Sequence, residues 1–214
     1  MKLTTMITIA AAMAVATSVS ASAKETAKDK NGAGRPLTVY ICDNNTIDPF
    51  IEEPAKALAS DMFAKIGVNL HWRRGEPSQG QAGAIVVEFV TDVPNTFKPG
   101  ALAYALPFEG VHIRIFANRI NGHSSSRQVL AHVMVHEITH ILQGEARHSA
   151  EGIMKARWTP DDLAAMGVKP LTFTAEDVDL IYQGMDYREA HAKADSKTPD
   201  TRNTTAAAVE TTAK

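Results

Sequence analysis

Cysteine is nearly absent. Cys42 is the single one in 214 residues, which excludes an intramolecular disulfide framework and any cysteine-rich metal module. An excess of one charge is missing too. There are 22 Lys and Arg against 24 Asp and Glu, a formal net charge of −2, with a pI of about 6.4. That balance gives no electrostatic case for nucleic acid or an anionic membrane as partner. There are no internal repeats, so a solenoid or propeller is excluded. No stretch is long and apolar enough to cross about 30 Å of hydrocarbon. What is present, 44% apolar and 21% charged residues, is the composition of an ordinary soluble globular chain of one domain, two at most.

The ends differ from the middle. Met1 and Lys2 lead into an apolar run at residues 6–16, followed by Ala21-Ser22-Ala23. A positive start, a short apolar core and an A-x-A site are expected of a secretory signal peptide over residues 1–23. The mature protein would then be soluble, secreted or periplasmic, and free of the membrane. Residues 24–35 are polar and read as a linker. Residues 191–214 hold one large apolar residue, Val209, among Thr, Ala, Lys and Asp. That is too little to offset ordering entropy, so a disordered tail is expected. Residues 36–190 form the expected folded unit, large enough for one core.

Within it, residues 37–41 are a β-branched run and read as a strand. Asp48-Pro49 opens a helix carrying Phe50, Ala57, Leu58, Met62 and Ile66, closed by Gly67. Residues 68–72 and 84–90 read as strands. Residues 101–106 and 111–116 are two short strands joined by a hairpin at residues 107–110. Asp43-Asn44-Asn45 is a turn signal. A long apolar helix follows, with Ser125 and Gln128 in capping-box spacing and Gly144 as C-cap. Thr159-Pro160 opens a short helix to Met166, and Thr174 with Asp177 caps a last one. The order β-α-β-β-β-β-α plus C-terminal helices predicts one α/β (α+β) domain with a mixed, twisted sheet.

Five of the eight histidines lie between His123 and His148. The long helix carries His136-Glu137-Ile138-Thr139-His140. Histidines at i and i+4 stand one turn apart on the same face. Both imidazoles can approach one zinc ion at about 2.0–2.1 Å. Glu137 falls beside such a metal rather than on it, where it can take a proton from water. This is the H-E-x-x-H pattern of zinc hydrolases. The alternative is a surface helix whose histidines face water, but the helix is strongly apolar. A catalytic zinc needs a third protein ligand and an open position. Gly144 lets the chain reverse, and His148 follows closely enough to return. Glu145, Glu151 and Glu176 are the rival carboxylates.

From His136 to Met154 the chain resembles the metzincin zinc peptidases, whose pattern is H-E-x-x-H-x-x-G-x-x-H followed by a tight turn carrying a Met beneath the zinc. Here Gly144 comes one residue late and His148 two. Ser149 and the Gly152-Ile153-Met154 turn are similar to the matrixin-like form. The resemblance implies zinc on His136, His140 and His148, Met154 beneath it, and an antiparallel edge strand at residues 101–106 lining the cleft. The sequence therefore predicts an exported zinc metallopeptidase, an endopeptidase acting as a monomer on peptides or proteins, with Glu137 as general base. The rival is a zinc-binding module without hydrolytic activity. His132 reads as a buried histidine bonded to a neighbour, His123 as polar loop, and His112 as outward or cleft-lining. Trp158 reads as core or cleft wall, and Cys42 as a small buried hydrophobe.

Overall fold

A computed structural model describes residues 34–42, 46–78, 83–93, 100–107 and 109–195. The expected signal peptide, nearly all of the linker, the turn at Asp43-Asn44-Asn45 and the expected tail beyond Asp195 lie outside the described residues.

Five strands form one sheet in the order β2-β1-β3-β5-β4. They are β1 (Arg35–Cys42), β2 (Val68–Arg74), β3 (Ile85–Val90), β4 (Ala103–Ala105) and β5 (His112–Phe116). β1 runs parallel to both β2 and β3, and β3 runs parallel to β5. β4 alone is antiparallel, with Tyr104 opposite Arg114, and forms the sheet edge. The mixed sheet with an antiparallel edge strand is the one the sequence predicts.

Alternation decides which face is covered. Leu37, Val39, Ile41, Ile85, Val87, Ile113 and Ile115 share the main core with α1 (Pro49–Ala64) and α3 (Ser126–Gln143). Tyr40 and Val86 belong to a smaller cluster. α1 begins where expected: Pro49 follows Asp48, whose side chain accepts the Phe50 N–H. A one-turn helix, α2 (Ala117–Ile120), turns the chain from β5 towards α3 and has no signal strong enough to be read in the sequence.

The start of α3 differs from the expectation. Ser125 is the N-cap residue, but at φ −110° and ψ 40° its side chain makes no cap hydrogen bond. A capping side chain needs an extended backbone beneath it. Ser126 Oγ instead donates to the His123 carbonyl at 2.5 Å. Two capping boxes form at the later helices. Thr159 and Asp162 close one over α4 (Pro160–Met166). Thr174 and Asp177 close one over α5 (Ala175–Asp195). α5 runs beyond Ala190, where the folded unit was expected to end, and Tyr187 on it is exposed. α5 crosses α3 at Gly184, where a Cβ would sit 1.5 Å from the Leu142 carbonyl oxygen. Only a residue without a side chain permits that approach.

Candidate metal centre

Every residue of α3 from Val129 to Leu142 is buried. A helix that is apolar all round belongs inside a protein, so the solvated-histidine alternative does not describe this one. His132, His136, Glu137 and His140 are polar groups in that interior, and each needs a partner.

The Nδ1 of His136 lies 2.9 Å from the Ile153 carbonyl oxygen. The Nδ1 of His140 lies 3.1 Å from the Glu145 carbonyl oxygen. A carbonyl oxygen only accepts, so both Nδ1 atoms carry hydrogen and donate. Each neutral ring then keeps its lone pair on Nε2. The two Nε2 atoms face each other at 3.1 Å. Two acceptors make no hydrogen bond; the gap is a place for a cation.

His148 completes the group. Gly144 caps α3 in the left-handed conformation, φ 68°, and the chain reverses there as the sequence predicts. The His148 ring lies 5.3 Å from that of His136 and 4.9 Å from that of His140, while those two are 4.7 Å apart. One ligand atom from each of the three lies within 4.8 Å of the others. Of the two extra residues in the spacing, one lengthens α3 before Gly144 and the other falls in the loop after it. None of the rival carboxylates joins the group: Glu176 pairs with Arg147, and Glu145 contributes its main-chain carbonyl.

Electrostatics keeps the rings neutral. Burial pushes the His136 pKa down to about 3 and that of His140 down to about 4, the neighbouring imidazoles adding to the shift. Burial also lowers His148. These are imidazoles ready to donate lone pairs to a metal. Glu137 is shifted the other way. Burial raises its pKa to about 8, opposed by a hydrogen bond from the Ala105 backbone N–H. Ala105 is the last residue of β4. The sheet edge therefore lies against the carboxylate next to the histidine group.

His132 stands apart. It is fully buried, with Nδ1 2.6 Å from the Gln128 carbonyl and Nε2 accepting from the Leu171 N–H at 3.1 Å. Both ring nitrogens are used, as expected of a bonded core histidine.

Two further contributors hold the Ile153 carbonyl, and only the second was singled out in the sequence. Trp158 donates its Nε1–H to the Ile153 carbonyl at 3.3 Å, the same oxygen that holds His136. Its ring stands edge-on to His136 at 5.6 Å. The second is the turn that brings Ile153 there, closed by the Ser149 N–H donating to the Met154 carbonyl at 2.8 Å. Met154 is fully buried.

No family model matches the sequence, and no curated protein matches it. Among solved structures, the archaemetzincin of Methanopyrus kandleri is similar, with 11% identity and a TM-score of 0.48. That match covers 72% of this chain and 97% of the other. Myroilysin is similar with 16% identity and a TM-score of 0.34, over 69% of this chain and 66% of the other.

Proposed function

We propose that this protein is an exported zinc-dependent metallopeptidase of the metzincin kind, an endopeptidase that acts as a monomer, in the periplasm or outside the cell. The observation that carries the metal is the pair of lone-pair-bearing Nε2 atoms 3.1 Å apart. Two nitrogens bound at about 2.0–2.1 Å to a tetrahedral zinc stand about 3.3 Å apart, close to the separation found. The donor set fits as well. His136, His140 and His148 are three neutral nitrogens, and three protein ligands are what a catalytic zinc takes. The carbonyls of Ile153 and Glu145 orient two of the rings, as groups behind metal-bound histidines do.

Bound there, zinc would supply a Lewis acid that polarises a peptide carbonyl and acidifies water. Glu137 is the proton carrier. A buried carboxylate with its pKa raised to about 8 holds a proton near neutrality, and a cation beside it would favour the ionised, accepting form. Glu137 takes a proton as water attacks the scissile carbonyl and returns it to the leaving amine. The Ala105 N–H orients that carboxylate. β4, at the sheet edge and against Glu137, suits an extended peptide added as a further strand, held by main-chain bonds with little sequence demand. The turn from Ser149 to Met154 carries the Ile153 carbonyl that holds His136 Nδ1, and it would stand where the resembled family has its Met turn. Residues 1–23 would direct export.

The test is metal content and turnover on purified protein. About one zinc per chain and cleavage of an extended-peptide library are expected. Glu137→Gln should keep the metal and lose hydrolysis. A Gln variant with near wild-type turnover would sink the mechanism. Zinc binding with no cleavage of any library peptide would favour the inactive zinc-binding module.

A further inference from the structure

His136 and His140 are each oriented by a carbonyl oxygen. Among the described residues no hydrogen bond reaches the His148 ring, and its residue is exposed. An exposed loop would leave the third ring free to turn away, at an entropic cost on every binding event. Something must hold the loop itself.

The residues on either side of His148 supply the hold. Arg147 donates to Asp177 Oδ1 at 2.9 Å, and Ser149 Oγ donates to the same oxygen at 2.5 Å. His148, between them, faces the other two imidazoles. This is the alternation of an extended segment, with the two flanking side chains pinned on one side and the His148 ring presented on the other. Arg147 also pairs with Glu176. The other carboxylate oxygen, Oδ2, accepts from the Thr174 N–H at 3.0 Å and from Thr174 Oγ1 at 2.7 Å. Asp177 is fully buried. Burial works to raise its pKa, but the hydrogen bonds from Ser149, Thr174 and Arg147 outweigh it and hold the pKa below the usual carboxylate range. A buried carboxylate fixed at both oxygens is a rigid anchor. α5 is in turn pressed against α3 at Gly184, so the anchor is tied to the helix that carries the other two histidines.

We infer that Asp177, 29 residues downstream of His148, is the positioning residue of the third ligand: the cap of α5 doubles as a clamp on both neighbours of His148. This also explains how a spacing two residues longer than the resembled pattern still delivers its imidazole. The inference rests on reading the three histidines as metal ligands.

The experiment measures zinc affinity by chelator competition, and the visible bands of the cobalt-substituted protein, on the mature chain. Groups that hold a ligand from behind typically matter by about 10–100-fold in metal affinity. Asp177→Asn should weaken zinc by that range and shift the cobalt bands. Because Asp177 also caps α5, a second variant is needed. Arg147→Gln with Ser149→Ala leaves the Thr174–Asp177 box intact and should produce the same two changes at wild-type helix content. Arg35→Gln, which loosens α5 at its ion pair with Asp186 (2.7 Å), should lower stability and leave affinity and bands alone. Wild-type affinity and bands in a folded Arg147/Ser149 double variant would overturn the clamp. A wild-type protein that takes up neither zinc nor cobalt would overturn the metal site itself, which is a different result.

Discussion

At the scale of single residues, histidines with the same ring chemistry do different work, and their hydrogen bonds sort them. His148 offers its ring to the group, while His132 spends both nitrogens on Gln128 and Leu171. His148→Ala should abolish hydrolysis and lower zinc affinity by well over tenfold, since two protein ligands remain. His132→Ala should spare zinc. It should instead cost about 2–4 kcal/mol of stability, from a buried cavity and an orphaned Leu171 N–H. Chelator competition and denaturant melts separate the two. His136, Glu137 and His140 were legible in the sequence because their spacing on a helix is itself the signal, and His148 because the resembled pattern asks for a third histidine beyond the helix. Their supports were not. The Ile153 and Glu145 carbonyls and the Ala105 N–H are main-chain groups, present at every position and marked by none. Asp177 is visible as a helix cap, but its hold on Arg147 and Ser149 exists only once the chain folds back.

At the scale of elements, strand and helix periodicity gave the strands and the long apolar helix, and the resembled family gave the antiparallel edge. The misread was Ser125, where a capping-box spacing met a backbone that cannot use it. Spacing records which residues could bond, whereas the backbone path into the helix decides their dihedral angles. The α3–α5 crossing was illegible for the opposite reason. Gly184 looks like an ordinary helix weakness, yet it makes the contact possible. Gly184→Ala should gain intrinsic helix propensity and still lose stability, by about 3 kcal/mol or more, because backbone rather than a movable side chain blocks the new methyl. Thermal unfolding of the variant checks this. A stabilised variant would mean that the helices can separate at no cost.

For the whole molecule, the buried ionisable groups set an acid–base profile. His136 and His140 titrate at about 3 and 4 in the fold, against about 6.5 in an unfolded chain. Below pH 6.5 the unfolded chain binds protons that these rings refuse, so they favour unfolding as acid increases. Glu137 titrates at about 8 in the fold, against about 4.3 unfolded. Between those values the fold holds a proton that the unfolded chain has lost, so this group favours unfolding as alkali increases. Between about pH 4.3 and 6.5 two histidines act against one carboxyl and stability rises with pH; above 6.5 the carboxyl acts alone and stability falls. Metal-free protein should therefore be most stable near pH 6.5. Zinc-loaded protein, with Glu137 ionised beside a cation, should hold its stability up to pH 8. Melting curves with and without chelator, taken across this range, test the sign on each side. A metal-free protein with rising stability from pH 6.5 to 8 would show that Glu137 is not held neutral.

The two ends of α5 grip opposite parts of the molecule. Asp177 holds the loop of His148. Arg188, eleven residues on, donates to the carbonyls of Gly110, at the hairpin between β4 and β5, and Gly83, just before β3. This gives the molecule an order in time. A chain made or exported from its N-terminus presents His136, Glu137 and His140 first, but it cannot seat His148 or brace that hairpin until the last helix arrives. The third imidazole of the proposed metal site is therefore the last to be seated. A protein ending at Thr174 should accordingly keep the paired histidines of α3 yet bind zinc weakly, which chelator competition on the shortened chain would read.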